Sequence, residues 1–341
     1  MRLRFLVLVI VACVAACAQT LSVRKLVEFM HSAAVQKNSD KDIAAYLATV
    51  KLTERLDDRT IEQLQSTGAL GPRTLHALWS LRDRSKDLPE PKPAVPAEPK
   101  PVTPPPSSED QGKILDTVRD YALAYTQNLP DFICTEVVKR AVAPRVPAGG
   151  DPAWRSQDTL TIKLSYFEQK EQYKLLLIDD RVTTKDYEAV GGAKAFGDFG
   201  SLMRGIFAPE TEARFEWDGW ATVRGQEAMV FSYKVEQSNS RYTIRYEDGR
   251  HIIPAYSGRV WVDKKSEVLR VTVKAENIPA AFPVKSALTT LDYDRQVISD
   301  QTFLLPVESV VIMASIDGMS SNDATFHNYH KYSADTNVTY K

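Results

Sequence analysis

Side chains in the combinations that catalysis or metal binding requires are scarce in this 341-residue chain. There is no Gly-x-Ser-x-Gly and no His-Glu-x-x-His, the spacings that build a serine nucleophile elbow or a zinc-protease helix. Ser22-Val23-Arg24-Lys25 spells Ser-x-x-Lys, but it stands without the other motifs such enzymes carry and reads as chance. His327 and His330 lie three apart, a spacing that on a regular strand sends the two rings to opposite faces. His31, His76 and His251 have no Cys or His near them in sequence, so no metal site and no cofactor is expected. Cys134 sits in the strand-like run Phe132-Ile133-Cys134-Thr135-Glu136 with no adjacent His to activate it, and reads as a buried thiol. Acidic residues are plentiful, yet spacing singles out no general acid and base. A hydrolase is therefore the weakest reading, and a binding protein is expected.

Two stretches carry binding potential instead. Five of the 15 glycines fall between Gly191 and Gly205, within a segment that also holds Phe196, Phe199, Leu202, Met203, Ile206 and Phe207. Such a loop suits a lid over an apolar cavity, and it equally suits a crossover whose short helix plugs the sheet permanently. The second stretch is Gly68-x-x-Gly71-Pro72-x-Thr74. It resembles the start of the last helix in peptidoglycan-binding modules, which implies docking on cell wall or a partner, although Thr67 stands where an Asp is expected. It is also similar to a helix-hairpin-helix turn, whose backbone N–H groups hold DNA phosphates, but that pattern has one residue between its glycines and this chain has two. The plain alternative is a Gly-Pro break between packed helices.

The elements that position these residues follow from composition. Arg2 and Arg4 precede the apolar run Phe5–Ala16, which at 1.5 Å per residue reaches only ~18 Å, short of a ~30 Å hydrocarbon core. Residues 1–18 therefore read as a signal peptide, and the protein is expected to be exported, periplasmic or outer-membrane-associated. Ala16-Cys17-Ala18 suits ordinary cleavage before Gln19, and Val14-Ala15-Ala16-Cys17 suits a lipobox. Membrane association is expected only if Cys17 is lipidated. Nine of the 19 prolines fall between Asp87 and Ser108, so residues 87–108 form a stiff linker. Before it, residues 19–86 read as a small all-helical domain: Val23, Leu26 and Met30, then Ile43 and Leu47, then Ile61 and Leu64, then Leu75, Leu78 and Leu81 repeat at helical spacing. The net charge of −1 argues against a nucleic-acid partner.

Residues 109–341 begin with one helix, marked by Ile114, Val118, Tyr121, Ala122 and Tyr125, and continue as strands. Alternation through Leu160, Ile162, Leu164 and Tyr166, through Met229, Phe231, Tyr233 and Val235, and through Leu269, Val271 and Val273 predicts roughly ten antiparallel strands. Asp218-Gly219, Asp248-Gly249 and Asp317-Gly318 are expected hairpin turns. The fold class is α+β: one large curved antiparallel sheet with one main helix, preceded by the small all-α domain and the Pro-rich linker.

The run Gly258-Arg259-Val260-Trp261-Val262-Asp263, followed by Val268-Leu269-Arg270-Val271, Leu291-Asp292-Tyr293 and Phe303-Leu304-Leu305-Pro306, resembles the half-barrel superfamily of outer-membrane lipoprotein carriers (LolA-, LolB- and RseB-like). The full chain also looks like a group of secreted bacterial proteins sharing Leu129-Pro130-Asp131-Phe132-Ile133-Cys134. The superfamily resemblance implies a non-catalytic protein holding an apolar or lipid-like ligand within the sheet. The alternative is an envelope scaffold that docks on an envelope protein or the cell wall while the half-barrel is filled.

Overall fold

The computed structural model describes residues 20–35, 39–66, 70–91, 104–144, 154–191, 199–246 and 249–332. The chain divides into two compact units, one in Met1–Gln65 with Ala69–Pro96, the other in Ala97–Lys341 with Ser66–Gly68. The first unit contains a short strand β1 (Thr20–Leu21), helices α1 (Val23–Val35) and α2 (Asp40–Thr49), a strand β2 (Lys51–Leu52), and helices α3 (Asp58–Ser66) and α4 (Pro72–Ser85). Leu26, Leu47, Ile61 and Leu78 are fully buried, so each helix turns its apolar stripe inward. Two helix starts are satisfied from a distance. The Val23 amide donates to Glu54 at 2.8 Å, and the Arg73 and Thr74 amides donate to the two oxygens of Asp40 at 3.1 and 2.8 Å. Ser22 is a local cap: the Lys25 amide donates to its hydroxyl.

The second unit opens with α5 (Ser108–Asn128), capped by Ser107, whose hydroxyl accepts from the Asp110 amide at 3.1 Å. The strands follow: β3 (Phe132–Pro144), β4 (Arg155–Phe167), β5 (Lys170–Ile178) and β6 (Arg181–Val182), then the helix α6 (Ser201–Phe207), then β7 (Arg214–Val223) and β8 (Gln226–Val235). A small hairpin, β9 (Ile244–Arg245) and β10 (His251–Ile252), precedes β11 (Ala255–Val262), β12 (Val268–Glu276), β13 (Val284–Ile298), β14 (Gln301–Ser315) and β15 (Gly318–Lys331). Eleven strands form one antiparallel sheet in the order β6-β5-β4-β3-β15-β14-β13-β12-β11-β8-β7, which does not close, so β6 and β7 are its edges. The fold is the α+β curved half-barrel.

Register fixes which side chains face inward. Val271, Leu291, Ser309, Ala324, Val138 and Leu160 pair across successive strands and share the inner face. Most of them join one core with Val118, Ala122 and Tyr125 of α5. The Tyr125 hydroxyl donates to the Leu304 carbonyl at 2.8 Å, and its ring meets Tyr293 edge-on. Burial pushes the Tyr125 phenol well above its ordinary pKa.

On the opposite phase, Arg270 is paired to Asp292 through two contacts, one of them 2.6 Å long, and lies 5.7 Å from the Trp261 ring centre. Arg270 is 1% exposed and Asp292 4%. Register shifts at Trp217/Gly219, Trp261/Val262 and Asp292/Tyr293 fall near this same row, and such bulges bend strands locally. The expected reversal at Asp218-Gly219 is one of these bulges, and the chain turns instead at Arg224-Gly225, both at positive φ. Asp-Gly serves either role because both a turn and a bulge use a glycine at positive φ. The β14–β15 hairpin does turn beside Asp317-Gly318, one residue early: Ile316-Asp317 form the loop and Gly318 (φ 137) pairs with Ser315. Between β9 and β10, Gly249 (φ 87) sits in the reversal as expected; Asp248 lies outside the described residues.

Both ends of the Pro-rich stretch touch folded structure. The Arg55 amide donates to the Pro89 carbonyl at 2.7 Å in the first unit. In the second, Trp220 and Gln111 donate to the carbonyls of Pro104 and Pro106 at 3.4 and 2.8 Å. Residues 92–103 lie outside the described residues.

Two stability predictions follow from these buried groups. Arg270→Ala leaves Asp292 buried and unpaired and should cost about 3–5 kcal/mol in urea denaturation, whereas Arg270→Met with Asp292→Leu should recover most of that loss. In the helical unit, burial lowers the His76 pKa from 6.5 to about 4. Because the folded value is depressed, the unfolded chain takes up the proton first as pH falls. The stabilisation is complete above pH 6.5 and drains away toward pH 4, on the order of 3 kcal/mol in all. Urea melts followed by helix circular dichroism across that window should show the loss, and His76→Gln should flatten it.

Candidate functional site

The described end of the Gly-rich segment, residues 199–207, packs onto the inner face. Phe199 is 1% exposed and packs against Phe132, Phe326 and Tyr166 at ring-centre distances of 5.1, 5.7 and 6.3 Å. Its amide donates to Glu171 at 3.1 Å. In α6, Met203, Ile206 and Phe207 are buried, and Phe207 stacks on Phe215 at 5.2 Å. The Tyr256 hydroxyl donates to the Gly205 carbonyl at 2.5 Å, and burial pushes that phenol up to about 12. The spacing of Phe199, Met203, Ile206 and Phe207 thus puts four apolar side chains on the sheet-facing side.

Beside this sealed half lies a cavity of about 1200 Å³. Its floor is the far end of the inner face: Val142 on β3, Ala287 on β13, Val311 and Met313 on β14, and Ser320 and Asn322 on β15. One wall is the segment Glu188–Gly191 with Leu202 of α6, and the other runs from Tyr242 to Tyr246. Arg140 stands in phase with Val138 and Val142, so β3 aims a cation into this apolar row. Asp158, its cross-strand neighbour on β4, takes it bidentately at 2.6 and 2.5 Å, and its third nitrogen donates to the Gly191 carbonyl at 2.5 Å. The guanidinium is 4% exposed. A forked, fully engaged arginine fixes the start of the Gly-rich segment to the sheet. The arrangement offers an apolar enclosure with polar rim groups, and it pairs no nucleophile with a base.

Of the residues expected to line a ligand site, Leu202 reaches the cavity, half-buried. Phe199, Met203, Ile206 and Phe207 belong to the aromatic core next to it. Phe196 and Cys17 lie outside the described residues, as does Gly68. In the helical unit Thr74 is fully buried, and its hydroxyl donates to the Asp40 carbonyl. A Cβ on Gly71 would lie 2.3 Å from the Asp40 carboxylate carbon, so glycine there permits the close approach. Asp40 therefore occupies the backbone amides after Gly71 and Pro72 that would otherwise hold an anion.

Cys134 is buried on the inner face beside Leu164. His327 and His330 depart from the expected opposite-face placement. A register shift between them, with Asn328 at φ 56, pairs them with Thr135 and Ile133, two residues apart on β3 and so on one face. Among the described residues no three His, Cys, Asp or Glu side chains are grouped to hold a metal ion. Sequence reading missed Arg140, Asp158 and the Tyr242–Tyr246 wall. The phase of Val138, Arg140 and Val142 carried a signal for the first, and nothing local marked the others.

No family model matches the chain, and no curated protein does. Solved structures do resemble it. A DUF1329 family protein from Desulfovibrio piger is 12% identical with a TM-score of 0.30, over 66% of this chain and 95% of that one. A LolA superfamily protein from Nitrosomonas europaea is 9% identical with a TM-score of 0.26, over 67% and 97%. LprF from Mycobacterium bovis is 10% identical with a TM-score of 0.22, over 67% and 95%. The carrier superfamily that the sequence resembles is thus among these neighbours, at TM-scores too low to transfer a ligand or an activity.

The clamp on Gly191 has a measurable consequence. Combining Arg140→Gln with Asp158→Asn removes the tether without stranding a buried carboxylate, so amide exchange across Leu202–Phe207 should accelerate by tenfold or more, on the order of 1.4 kcal/mol of lost protection. Exchange in β13 and β14 should stay unchanged.

Proposed function

We propose that this chain is a non-catalytic envelope protein that holds an apolar or acylated ligand in the cavity of its half-barrel. The observation that carries this reading is the cavity itself: about 1200 Å³, floored by Val142, Ala287, Val311 and Met313 and flanked by Glu188–Gly191 and Leu202. That volume meets and slightly exceeds the ~300–1,000 Å³ usual for ligand pockets. The basic-then-apolar start of the chain supports export, with Cys17 either removed with the signal or retained as a lipid anchor. In this reading α6 is a lid. Opening it withdraws Met203, Ile206 and Phe207 together, at ~1.5–3 kcal/mol each, so the closed state dominates and opening is a rare excursion that a bound ligand must offset.

The test uses the full chain extracted from envelopes. Native mass spectrometry should show a bound species of lipid mass, and adding that species should slow amide exchange across Leu202–Phe207. Leu202→Asp, at the half-buried α6 side chain that lines the cavity, should weaken its uptake more than it lowers the melting temperature. Exchange that is equally slow with and without lipid, together with lipid uptake unchanged in Leu202→Asp, would identify α6 as a permanent plug. The envelope-scaffold reading would then replace this one.

A further inference from the structure

The rim of the cavity differs in character from its floor. Arg155, at the start of β4, and Arg245, in β9, both line it and are both exposed. Each is anchored by a strand backbone: Arg155 pairs with Val142 and Arg245 with His251. Among the described residues neither guanidinium has an ion pair or hydrogen bond, whereas the other charges nearby are engaged. Arg140 is consumed by Asp158 and Gly191, and Asp317 accepts from the Tyr246 hydroxyl. Glu188 stands on the wall with Val190 and Gly191 and makes an interaction of its own. The same lining holds Val142, the cross-strand partner of Arg155, and Ile244, the buried chain neighbour of Arg245.

A cavity lined by two exposed guanidinium groups without a partner among the described residues, together with apolar side chains, matches one ligand shape: an alkyl chain ending in an anion. Guanidinium recognises carboxylate and phosphate through paired charge-assisted hydrogen bonds, and it is more weakly hydrated than an ammonium group. We propose that Arg155 and Arg245 form a headgroup site, so that the cavity selects amphiphiles with a single anionic head over neutral ones of equal chain length. This rests on the apolar-ligand reading above and goes further, by assigning the head chemistry and the residues that read it.

The experiment is displacement of the neutral probe N-phenyl-naphthylamine from the full chain at neutral pH by laurate, dodecyl phosphate and dodecanol. At least one of the two anions should displace the probe at roughly tenfold lower concentration than dodecanol. Which anion does so distinguishes a carboxylate from a phosphate head. Combining Arg155→Gln with Arg245→Gln should close the gap and leave dodecanol unchanged, and added salt should narrow it in the wild type. Equal displacement by all three ligands, or a gap that survives in the double variant, would overturn the headgroup site while leaving the apolar cavity standing. Absence of probe binding altogether would remove the apolar-ligand reading and this one with it.

Discussion

An antiparallel sheet of eleven strands that curves without closing has an inner face with no second sheet to cover it. The rest of the second unit is arranged around that constraint. Helix α5 covers part of the face with Val118, Ala122 and Tyr125, and α6 covers more with Met203, Ile206 and Phe207. Neither reaches the row that ends in Val142, Met313 and Ser320, so the cavity lies where the helical cover stops. Burial and vacancy are therefore set by the same geometry. Lengthening the cover would fill the cavity, and shortening it would expose the aromatic group around Phe132 and Phe199.

Polar groups on the sheet are placed with the same logic. Arg140 with Asp158 and Arg270 with Asp292 are both cross-strand bidentate pairs, one on each face. A buried pair adds little net stability compared with well-packed apolar residues, but it penalises any register in which the partners miss each other. In a sheet whose long strands carry several bulges, such pairs act against slippage. Arg140 has a second task, because its remaining hydrogen bond reaches out of the sheet to Gly191.

The sheet was legible from sequence because strand alternation has a period of two, and inward residues such as Leu160, Ile162 and Leu164 announce themselves. Long-range partners were not legible. The carboxylate that caps α4 comes from Asp40, on another helix, and no local motif near Gly71 points to it. Bulges were the other blind spot: one extra residue turned Asp218-Gly219 from a reversal into a bend and brought His327 and His330 to one face. The candidate site was legible only in part. Phe199 to Phe207 were recognised as apolar and clustered, but whether they line a cavity or fill a core depends on where α6 rests. Sequence periodicity does not encode that position.

Strand β7 has a consequence for how this protein coexists with its own copies. Its outer side presents backbone N–H and C=O groups that no neighbouring strand satisfies, over the ten residues Arg214–Val223. A flat, apolar strand in that place would template pairing with the same strand of another molecule. The bulge between Trp217 and Gly219 breaks the ladder midway, and Arg214, Glu216 and Asp218 set charges along its first half. A second molecule approaching edge to edge would meet a bent backbone and mismatched spacing at that bulge, one of the ways in which edge strands are blunted. The kink that bends the sheet thus also makes its long edge a poor template for a further strand.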